Sequence, residues 1–156
     1  MKLLVCAMEA SSNIHLKELK KYLNNDVELV GVFDKELGNP LYDLTALAIM
    51  GIVDALKKLR FFFKLRDELV DLAKDSDKVL LMDSSGFNLP LAKKLRETYP
   101  NKEIIYYILP QAWAWKKGRV AKLEKYCTKL CSIIPFESEM YSDKNKITYV
   151  GHPLLD

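Results

Sequence analysis

The segment that decides the fold reads Val79-Leu80-Leu81-Met82-Asp83-Ser84-Ser85-Gly86-Phe87-Asn88. Four consecutive apolar residues end at an aspartate, two serines and a glycine, which a hydrophobic core does not need. A short, continuously apolar run is typical of a strand that is covered on both faces of a parallel sheet. Such sheets bind ligands beside the carboxyl ends of their strands. The polar cluster that begins at Asp83 therefore predicts part of a binding site.

The same arrangement recurs along the whole chain. Apolar runs predict strands at residues 2–7, 27–33, 79–82, 103–109, 129–134 and 147–150. Amphipathic stretches predict helices at residues 14–23, 52–74, 88–99, 116–126 and 136–142. Strands that alternate with helices pair in parallel through crossover connections. The predicted fold class is α/β: one Rossmann-like domain over residues 1–156, with a mostly parallel sheet and helices on both faces.

Composition narrows the function classes. The 156 residues are about one domain, and 29% charged with 49% hydrophobic residues is typical of a soluble globular protein. A net charge of +3 without a basic arm does not indicate nucleic-acid binding. No apolar stretch approaches the ~20 residues of a membrane span. The loop after the first strand has no glycine, which argues against NAD or FAD, and we predict neither a cofactor nor a metal site.

The first loop reads Met8-Glu9-Ala10-Ser11-Ser12-Asn13. The hydroxyls of Ser11 and Ser12, together with the amides of the following helix, could meet a phosphate or a sugar. The simpler interpretation is that Ser11, Ser12 or Asn13 caps that helix. Glu9 follows a buried strand so closely that its carboxylate needs a partner or water.

Asp83 has two interpretations of similar weight. A carboxylate at the end of a buried strand could act as a general base that takes a proton from an attacking hydroxyl. It could equally satisfy loop amides or cap the next helix, which Asn88 and Pro90 are predicted to open. Asn88 itself could hold a sugar hydroxyl, although capping is its more common use.

A third loop carries two tryptophans in the sequence Pro110-Gln111-Ala112-Trp113-Ala114-Trp115. Large aromatic side chains on a short loop either plug the rim of the domain or form a platform for a sugar face or an acyl chain. Lys116, Lys117 and Arg119 follow and could meet a phosphate. Alternatively, they form the solvated basic face of the next helix.

The predicted helix from residue 52 is apolar on two sides. Its spacing predicts a core face made of Ile52, Ala55, Leu56, Leu59, Phe62 and Phe63. Phe61 and Leu65 lie nearly opposite, among Lys57, Lys58 and Lys64. An apolar spot with a lysine fringe suits insertion into an anionic membrane surface. The alternative is a contact with another domain or subunit.

Five segments together resemble the lipid-A-disaccharide synthases: Ala48-Ile49-Met50-Gly51-Ile52-Val53, Asp83 to Asn88, Pro110 to Trp115, Pro135-Phe136-Glu137 and Gly151-His152-Pro153. Their order and spacing match across the whole chain. The resemblance implies a glycosyltransferase B-type fold made of two Rossmann-like halves. It also implies that residues 1–156 are the acceptor-side half and that the C-terminal nucleotide-sugar domain is absent from this chain.

The resemblance further implies an inverting hexosyltransferase of lipid A biosynthesis. It would join UDP-2,3-diacylglucosamine to 2,3-diacylglucosamine 1-phosphate, giving lipid A disaccharide 1-phosphate and UDP. Its implied location is cytoplasmic, peripheral on the inner face of the bacterial inner membrane, and a homodimer of the full-length protein is a further expectation. The isolated 156-residue chain is expected to be inactive, because the donor site would lie in the other half.

By this resemblance Asp83 matches the catalytic base. The predicted substrate contacts are Glu9, Ser11, Ser12, Asn13, Asn88, Gln111, Trp113, Trp115, Lys116 and Glu137. The implied membrane patch contains Val53, Leu56, Leu59, Phe62 and Phe63, to which the residue pattern adds Phe61 and Leu65. Most of the implied patch falls on the helix side that the spacing assigns to the core, so the two assignments conflict.

The sequence departs from the family pattern in two loops. Met8, Ser12 and Asn13 replace two glycines and an aspartate of the first loop, and Gly86 stands where a second aspartate is common. Two other classes remain open on the residues alone. A signalling receiver domain would require an acidic pair after the first strand, where only Glu9 is present. A non-catalytic α/β ligand-binding module is the other alternative.

Overall fold

A six-stranded parallel sheet forms the centre of the computed structural model, which describes residues 1–44, 46–47, 55–110 and 118–155. The strands are β1 Lys2–Ala7, β2 Glu28–Val32, β3 Lys78–Met82, β4 Glu103–Tyr107, β5 Lys129–Ser132 and β6 Ile147–Tyr149. Their order in the sheet is β2-β1-β3-β4-β5-β6, and every neighbouring pair is parallel. All six predicted strands and the predicted fold class are confirmed.

Successive side chains of a strand point to opposite faces of the sheet, and apolar residues occupy both sets of positions. Leu4 and Cys6 of β1 join one buried cluster, whereas Leu3, Val5 and Ala7 join the other. This two-sided burial explains why the strands read as continuous apolar runs rather than as alternating patterns.

Four α-helices lie wholly within the described ranges. They are α1 Ala10–Lys20, α2 Ala55–Ala73, α3 Ser85–Thr98 and α4 Gly118–Tyr126, and 3-10 turns cover Lys35–Leu37 and Pro135–Met140. Helices α2, α3 and α4 contribute to one buried cluster, and α1 packs on the opposite face through Leu16. No helix in these ranges combines the length and hydropathy needed to cross a membrane.

The α1 face of the sheet is only partly covered. Beside α1, a groove of about 510 Å³ runs over β3, β4 and β5 and is mostly apolar. Leu80, Ile105, Tyr107 and Cys131 form its floor, and Val150 and Pro153 reach its wall. This face of the parallel sheet therefore presents apolar surface without a helix of the described chain over it.

The rotation of α2 corrects the sequence-based interpretation of this helix. Leu65, Leu69, Val70 and Ala73 are buried, and they fix which side of α2 faces the sheet. One and two turns earlier, Phe61 and Phe62 fall on the same side and pack against that core. The membrane assignment of Phe61 and Leu65 is therefore wrong.

The predicted core face of α2 is wrong at four positions, whereas Phe62 does lie on the core side, so its place in the implied membrane patch is wrong. Ala55, Leu56, Leu59 and Phe63 are exposed, the last three at 57%, 52% and 50% of their surface. Leu56, Leu59 and Phe63 follow i, i+3, i+7 spacing, so they form one stripe on the side away from the sheet. Ile52 and Val53, which belong to the predicted core face and the implied patch respectively, lie outside the described residues.

Candidate functional site

The loops after β1 and β3 meet at the point of the sheet where the chain connections reverse direction. From β1 the chain crosses to β2 on one side, and from β3 it crosses to β4 on the other, so the two loops diverge above neighbouring strands. Ligands of open α/β sheets bind at such switch points. Here Ser84 Oγ donates a hydrogen bond of 2.7 Å to Glu9 Oε1. The hydrogen bond brings Glu9 and the Asp83 loop together at one edge of the sheet.

The backbone at the end of β3 is held in an uncommon conformation. Asp83 and Ser84 have φ angles of 48° and 40°, and Ile108, after β4, has a φ of 61°. Left-handed backbone is costly for non-glycine residues and most of all for a β-branched one. Asp83 N donates to Ile108 O at 3.3 Å, which ties the two turns together. The left-handed turn also explains why β4 ends at Tyr107 rather than at the predicted residue 109.

Two buried side chains support this turn. Asn88 has no exposed surface, and its Nδ2 donates to Met82 O and to Asp83 O, both at 3.0 Å. The hydroxyl of Tyr106 also donates to Asp83 O. Burial raises the pKa of Tyr106 well above its ordinary value, so the phenol keeps the proton it donates. The Asp83 carbonyl thus accepts from two side chains, and the carboxylate above it is held in place.

Asn13 donates hydrogen bonds to carbonyls at the end of β1, as Asn88 does at the end of β3. Its Nδ2 donates to Ala7 O and Glu9 O, both at 2.8 Å, and its Oδ1 accepts from Asp34 N at 2.7 Å. Each asparagine is the fourth residue of its helix, α1 or α3. Strand-end carbonyls that no neighbouring strand can satisfy are therefore met by the helix that follows.

These helix positions correct the capping predictions. α1 begins at Ala10 with Glu9 as its cap residue, and α3 begins at Ser85 with Ser84 as its cap residue; neither cap residue makes a side-chain capping bond. Ser11, Ser12, Asn13 and Asn88 lie inside the helices, so none of them is the cap residue. Pro90 does not open α3 but is its exposed sixth residue. There its missing N–H leaves only the carbonyl of the exposed Gly86 without a helical partner.

The carboxylate of Glu9 lies close enough to Asp83 to change the pKa of Asp83. Burial raises the pKa of Asp83, and the neighbouring charge of Glu9 raises it further, while the amide of Ser84 partly opposes the shift. A carboxylate with a raised pKa is a stronger base, which is the property a general base needs. Asp83 is not the cap residue of α3, and the raised pKa is the property that the general-base hypothesis requires.

A cleft of about 280 Å³ opens from Asp83 toward the ends of β4 and β5. The residues that line it include Asp83, Ser85 and Arg119 of α4. The remaining lining residues are apolar: Ile108, Leu109, Pro110, Ile133 and Ile134. This volume is near the lower end of the roughly 300–1,000 Å³ range of small-molecule pockets. The cleft thus combines one acid, one hydroxyl and one cation with apolar residues.

Glu137 lies behind this cleft rather than in it. It is buried in the 3-10 turn Pro135–Met140, and its carboxylate accepts a hydrogen bond from Ser132 Oγ. Burial raises the pKa of Glu137, and Ser132 and the amide of Ile134 partly offset that shift. Glu137 therefore fixes the turn after β5 that carries Ile133 and Ile134 to the cleft wall.

The last described segment contacts α1 through the rings of two histidines. The rings of His15 and His152 lie 5.6 Å apart in an edge-on arrangement. Burial and the proximity of His152 lower the pKa of His15, so that ring favours its neutral form. The Gly151-His152-Pro153 segment thus lies beside the same helix that begins at the Glu9 loop.

Four predicted site residues, Gln111, Trp113, Trp115 and Lys116, lie outside the described residues. Sequence reasoning missed three that the structure brings to the site: Ser84, Tyr106 and Ile108. A tyrosine inside a buried strand was a usable signal for Tyr106, because a buried hydroxyl needs a partner. No sequence signal marked Ile108, whose left-handed backbone appears only in the fold.

An all-parallel Rossmann-like sheet with a general-base candidate at its switch point is consistent with one half of a glycosyltransferase B-type fold. A sequence model of the lipid-A-disaccharide synthetase family matches residues 3–156. The chain belongs to the lipid-A-disaccharide synthetase family. The resemblance found in its motifs is confirmed.

Individual relatives agree with the family match. The chain is 54% identical over 154 residues to a lipid-A-disaccharide synthase of Helicobacter pylori (strain HPAG1) and 42% identical over 165 residues to one of Campylobacter jejuni (strain RM1221). These alignments cover 99% and 98% of this chain but 42% and 44% of the relatives. The chain thus spans less than half the length of these relatives.

Replacing Tyr106 by phenylalanine tests the support of the Asp83 turn. The variant keeps the buried ring and removes the hydroxyl, so we expect unfolding to require about 1 kcal/mol less free energy. We also expect faster hydrogen exchange at the Asp83 amide, measured by nuclear magnetic resonance. Tyr99→Phe, at a ring that packs on Lys102 away from the site, is the control. An Asp83 amide that exchanges as in the wild type would contradict the proposed support.

Proposed function

We propose that this chain is the acceptor-side half of a lipid-A-disaccharide synthase and supplies the catalytic base. The full-length protein would join UDP-2,3-diacylglucosamine to 2,3-diacylglucosamine 1-phosphate, releasing UDP. The observation that carries this proposal is Asp83, a partly buried carboxylate whose pKa is raised at the switch point of the sheet. Membership of the family supplies the reaction to which such a base belongs.

The chemistry is a single displacement. The Asp83 carboxylate takes the proton of the acceptor's 6-hydroxyl as that oxygen attacks the anomeric carbon of the donor. The new carbon–oxygen bond forms as the bond to the UDP oxygen breaks, and UDP carries away the negative charge. Attack from the face opposite UDP inverts the anomeric carbon. The cleft beside Asp83 would hold the acceptor, and the nucleotide would bind the remaining part of the full-length protein.

Some of the predicted substrate contacts are exposed and others are buried, so their expected roles differ. Ser11 is exposed at the start of α1, so it can contact a bound sugar directly. Glu9 can orient the site through its bond to Ser84. Ser12, Asn13, Asn88 and Glu137 are buried, so in this conformation they would act by holding the loops that the sugar contacts.

Asp83→Asn in the full-length protein tests the proposed base. The amide keeps the shape of the side chain but cannot accept the proton, so we expect disaccharide formation to fall about 10²- to 10⁴-fold. Because the folded state raises the carboxyl pKa, it disfavours the ionised form, and the neutral amide should not lower stability at neutral pH. Turnover from radiolabelled donor and thermal unfolding measure the two effects. Near-normal turnover would remove Asp83 from the mechanism.

Glu9→Gln tests the carboxylate pair through the pH profile. A general base works only when deprotonated, so the rate falls as the pH drops through the pKa of Asp83. Because Glu9 helps to raise that pKa, its neutralisation should move the acid limb of turnover to lower pH. The glutamine oxygen can still accept from Ser84. Glu36→Gln, an exposed carboxylate near the same edge, is the control. An acid limb that does not move in Glu9→Gln would contradict the coupling.

We also propose that the exposed stripe of α2 contacts the membrane surface that holds both lipids. Leu56, Leu59 and Phe63 present apolar surface. Lys57, Lys58 and Arg60 are exposed on the same turns, and cations near an apolar stripe favour anionic lipid headgroups. Such binding would place the protein peripherally on the inner face of the bacterial inner membrane and keep both substrates near the cleft.

Co-sedimentation with anionic vesicles tests this stripe in the full-length protein. We expect the triple variant Leu56→Ser, Leu59→Ser and Phe63→Ser to bind at least about tenfold more weakly, because three half-exposed apolar side chains no longer enter the lipid. Met140→Ser with Leu155→Ser removes exposed apolar surface elsewhere and serves as the control. Equal sedimentation of the wild type and the triple variant would exclude the stripe from membrane contact.

A further inference from the structure

Arg119 is the described cation of the cleft beside Asp83. It is the second residue of α4 and lines the same cleft as Asp83. Its side chain is half-buried, whereas the next cation along α4, Lys122, is exposed. Apart from Asp83 and Ser85, the other residues that line this cleft are isoleucine, leucine and proline. Arg119 is therefore the cation among the described residues of the cleft lining.

The other half-buried arginines are engaged within the protein. Arg66 pairs with Asp67 at 3.0 Å. Arg96 donates to Tyr126 O at 3.1 Å and to Thr128 Oγ1 at 2.9 Å. Within the described part of the chain, Arg119 makes no ion pair, and its guanidinium donates to no acceptor. Its nitrogens are not among the buried atoms that lack a partner, so the five N–H donors stay accessible and can bind an added anion.

Asp83 does not neutralise Arg119, although both line one cleft. They form no ion pair, and the groups that shift the pKa of Asp83 do not include Arg119. The two opposite charges therefore occupy separate positions in one cleft. An anion bound next to Asp83 would be repelled, whereas one bound at Arg119 would be attracted. A fitting ligand carries its negative charge at one end and an uncharged hydroxyl at the other.

We propose that Arg119 binds the phosphate of a hexose 1-phosphate and thereby directs the 6-hydroxyl of that sugar toward Asp83. The planar guanidinium matches phosphate oxygens with two parallel hydrogen bonds. The 1-phosphate and the 6-hydroxyl project from different ends of the hexose, as the separated charges of the cleft require. This assignment rests on the proposed function, in which the acceptor is a hexose 1-phosphate, and it makes Arg119 a determinant of acceptor specificity.

Paired acceptors test the assignment in the full-length protein. Turnover is measured with 2,3-diacylglucosamine 1-phosphate and with the same acceptor lacking the phosphate. In Arg119→Gln we expect KM for the phosphorylated acceptor to rise about 10- to 100-fold, because a charged hydrogen-bonded contact is lost. The kinetics with the unphosphorylated acceptor and KM for the UDP-sugar should stay unchanged. Arg119→Lys should restore only part of the loss, and Lys122→Gln is the control for removing a charge from α4.

Two different results would overturn the assignment of Arg119. An equal loss with both acceptors would mean that Arg119 serves only the structure. A rise in the donor's KM alone would mean that it binds the diphosphate of the nucleotide sugar.

If the wild type forms no disaccharide with either acceptor, the proposed function has failed, and binding then decides the role of Arg119. In calorimetric titrations with glucosamine 1-phosphate, binding at least tenfold weaker in Arg119→Gln than in the wild type would support the phosphate site. Undetectable binding by the wild type, or equal binding by both proteins, would reject it.

Discussion

The site depends on how the fold satisfies the carbonyls at the carboxyl ends of its parallel strands. A strand that ends at the sheet edge leaves backbone acceptors without partners, and buried acceptors must be met. Asn88 meets those of Met82 and Asp83, Asn13 meets those of Ala7 and Glu9, and Tyr106 adds a second donor at Asp83. These bonds offset the strain of the left-handed turn. The carboxylate of Asp83 is consequently fixed by groups that do not themselves reach the cleft.

The sequence was sufficient to predict the sheet and its polar edge, because strands covered on both faces appear as continuous apolar runs. It was insufficient for the helix starts, because Ser11, Ser12 and Asn88 are equally good cap residues and substrate contacts. The rotation of α2 was misread from residues 52–66 alone, where apolar residues surround the helix. Leu65, Leu69, Val70 and Ala73 decide that rotation. The support given by Tyr106 and Ile108 requires contacts between strands, which no single segment reveals.

Asp83 and Glu9 illustrate a conflict between stability and reactivity. Burial and a neighbouring negative charge both raise the pKa of Asp83, so the folded state is less stable with this carboxylate ionised. The same shift makes the ionised carboxylate more basic. The hydrogen bond from Ser84 satisfies one oxygen of Glu9, and the Ser84 amide partly stabilises the charge of Asp83. The loop thus limits the cost of two adjacent carboxylates without removing the basicity that proton transfer needs.

One small cleft holds Asp83 and Arg119, two opposite charges that do not form an ion pair. Direct pairing would lower the pKa of Asp83 and occupy the guanidinium, so both groups would lose the properties argued here. Separation preserves both the base and the cation, and it also sets the direction in which a polar ligand enters. Because Asp83 follows β3 and Arg119 is the second residue of α4, the two groups are carried by different elements of the fold. The orientation of a bound sugar would then follow from the positions of these elements, not from the mobility of any one side chain.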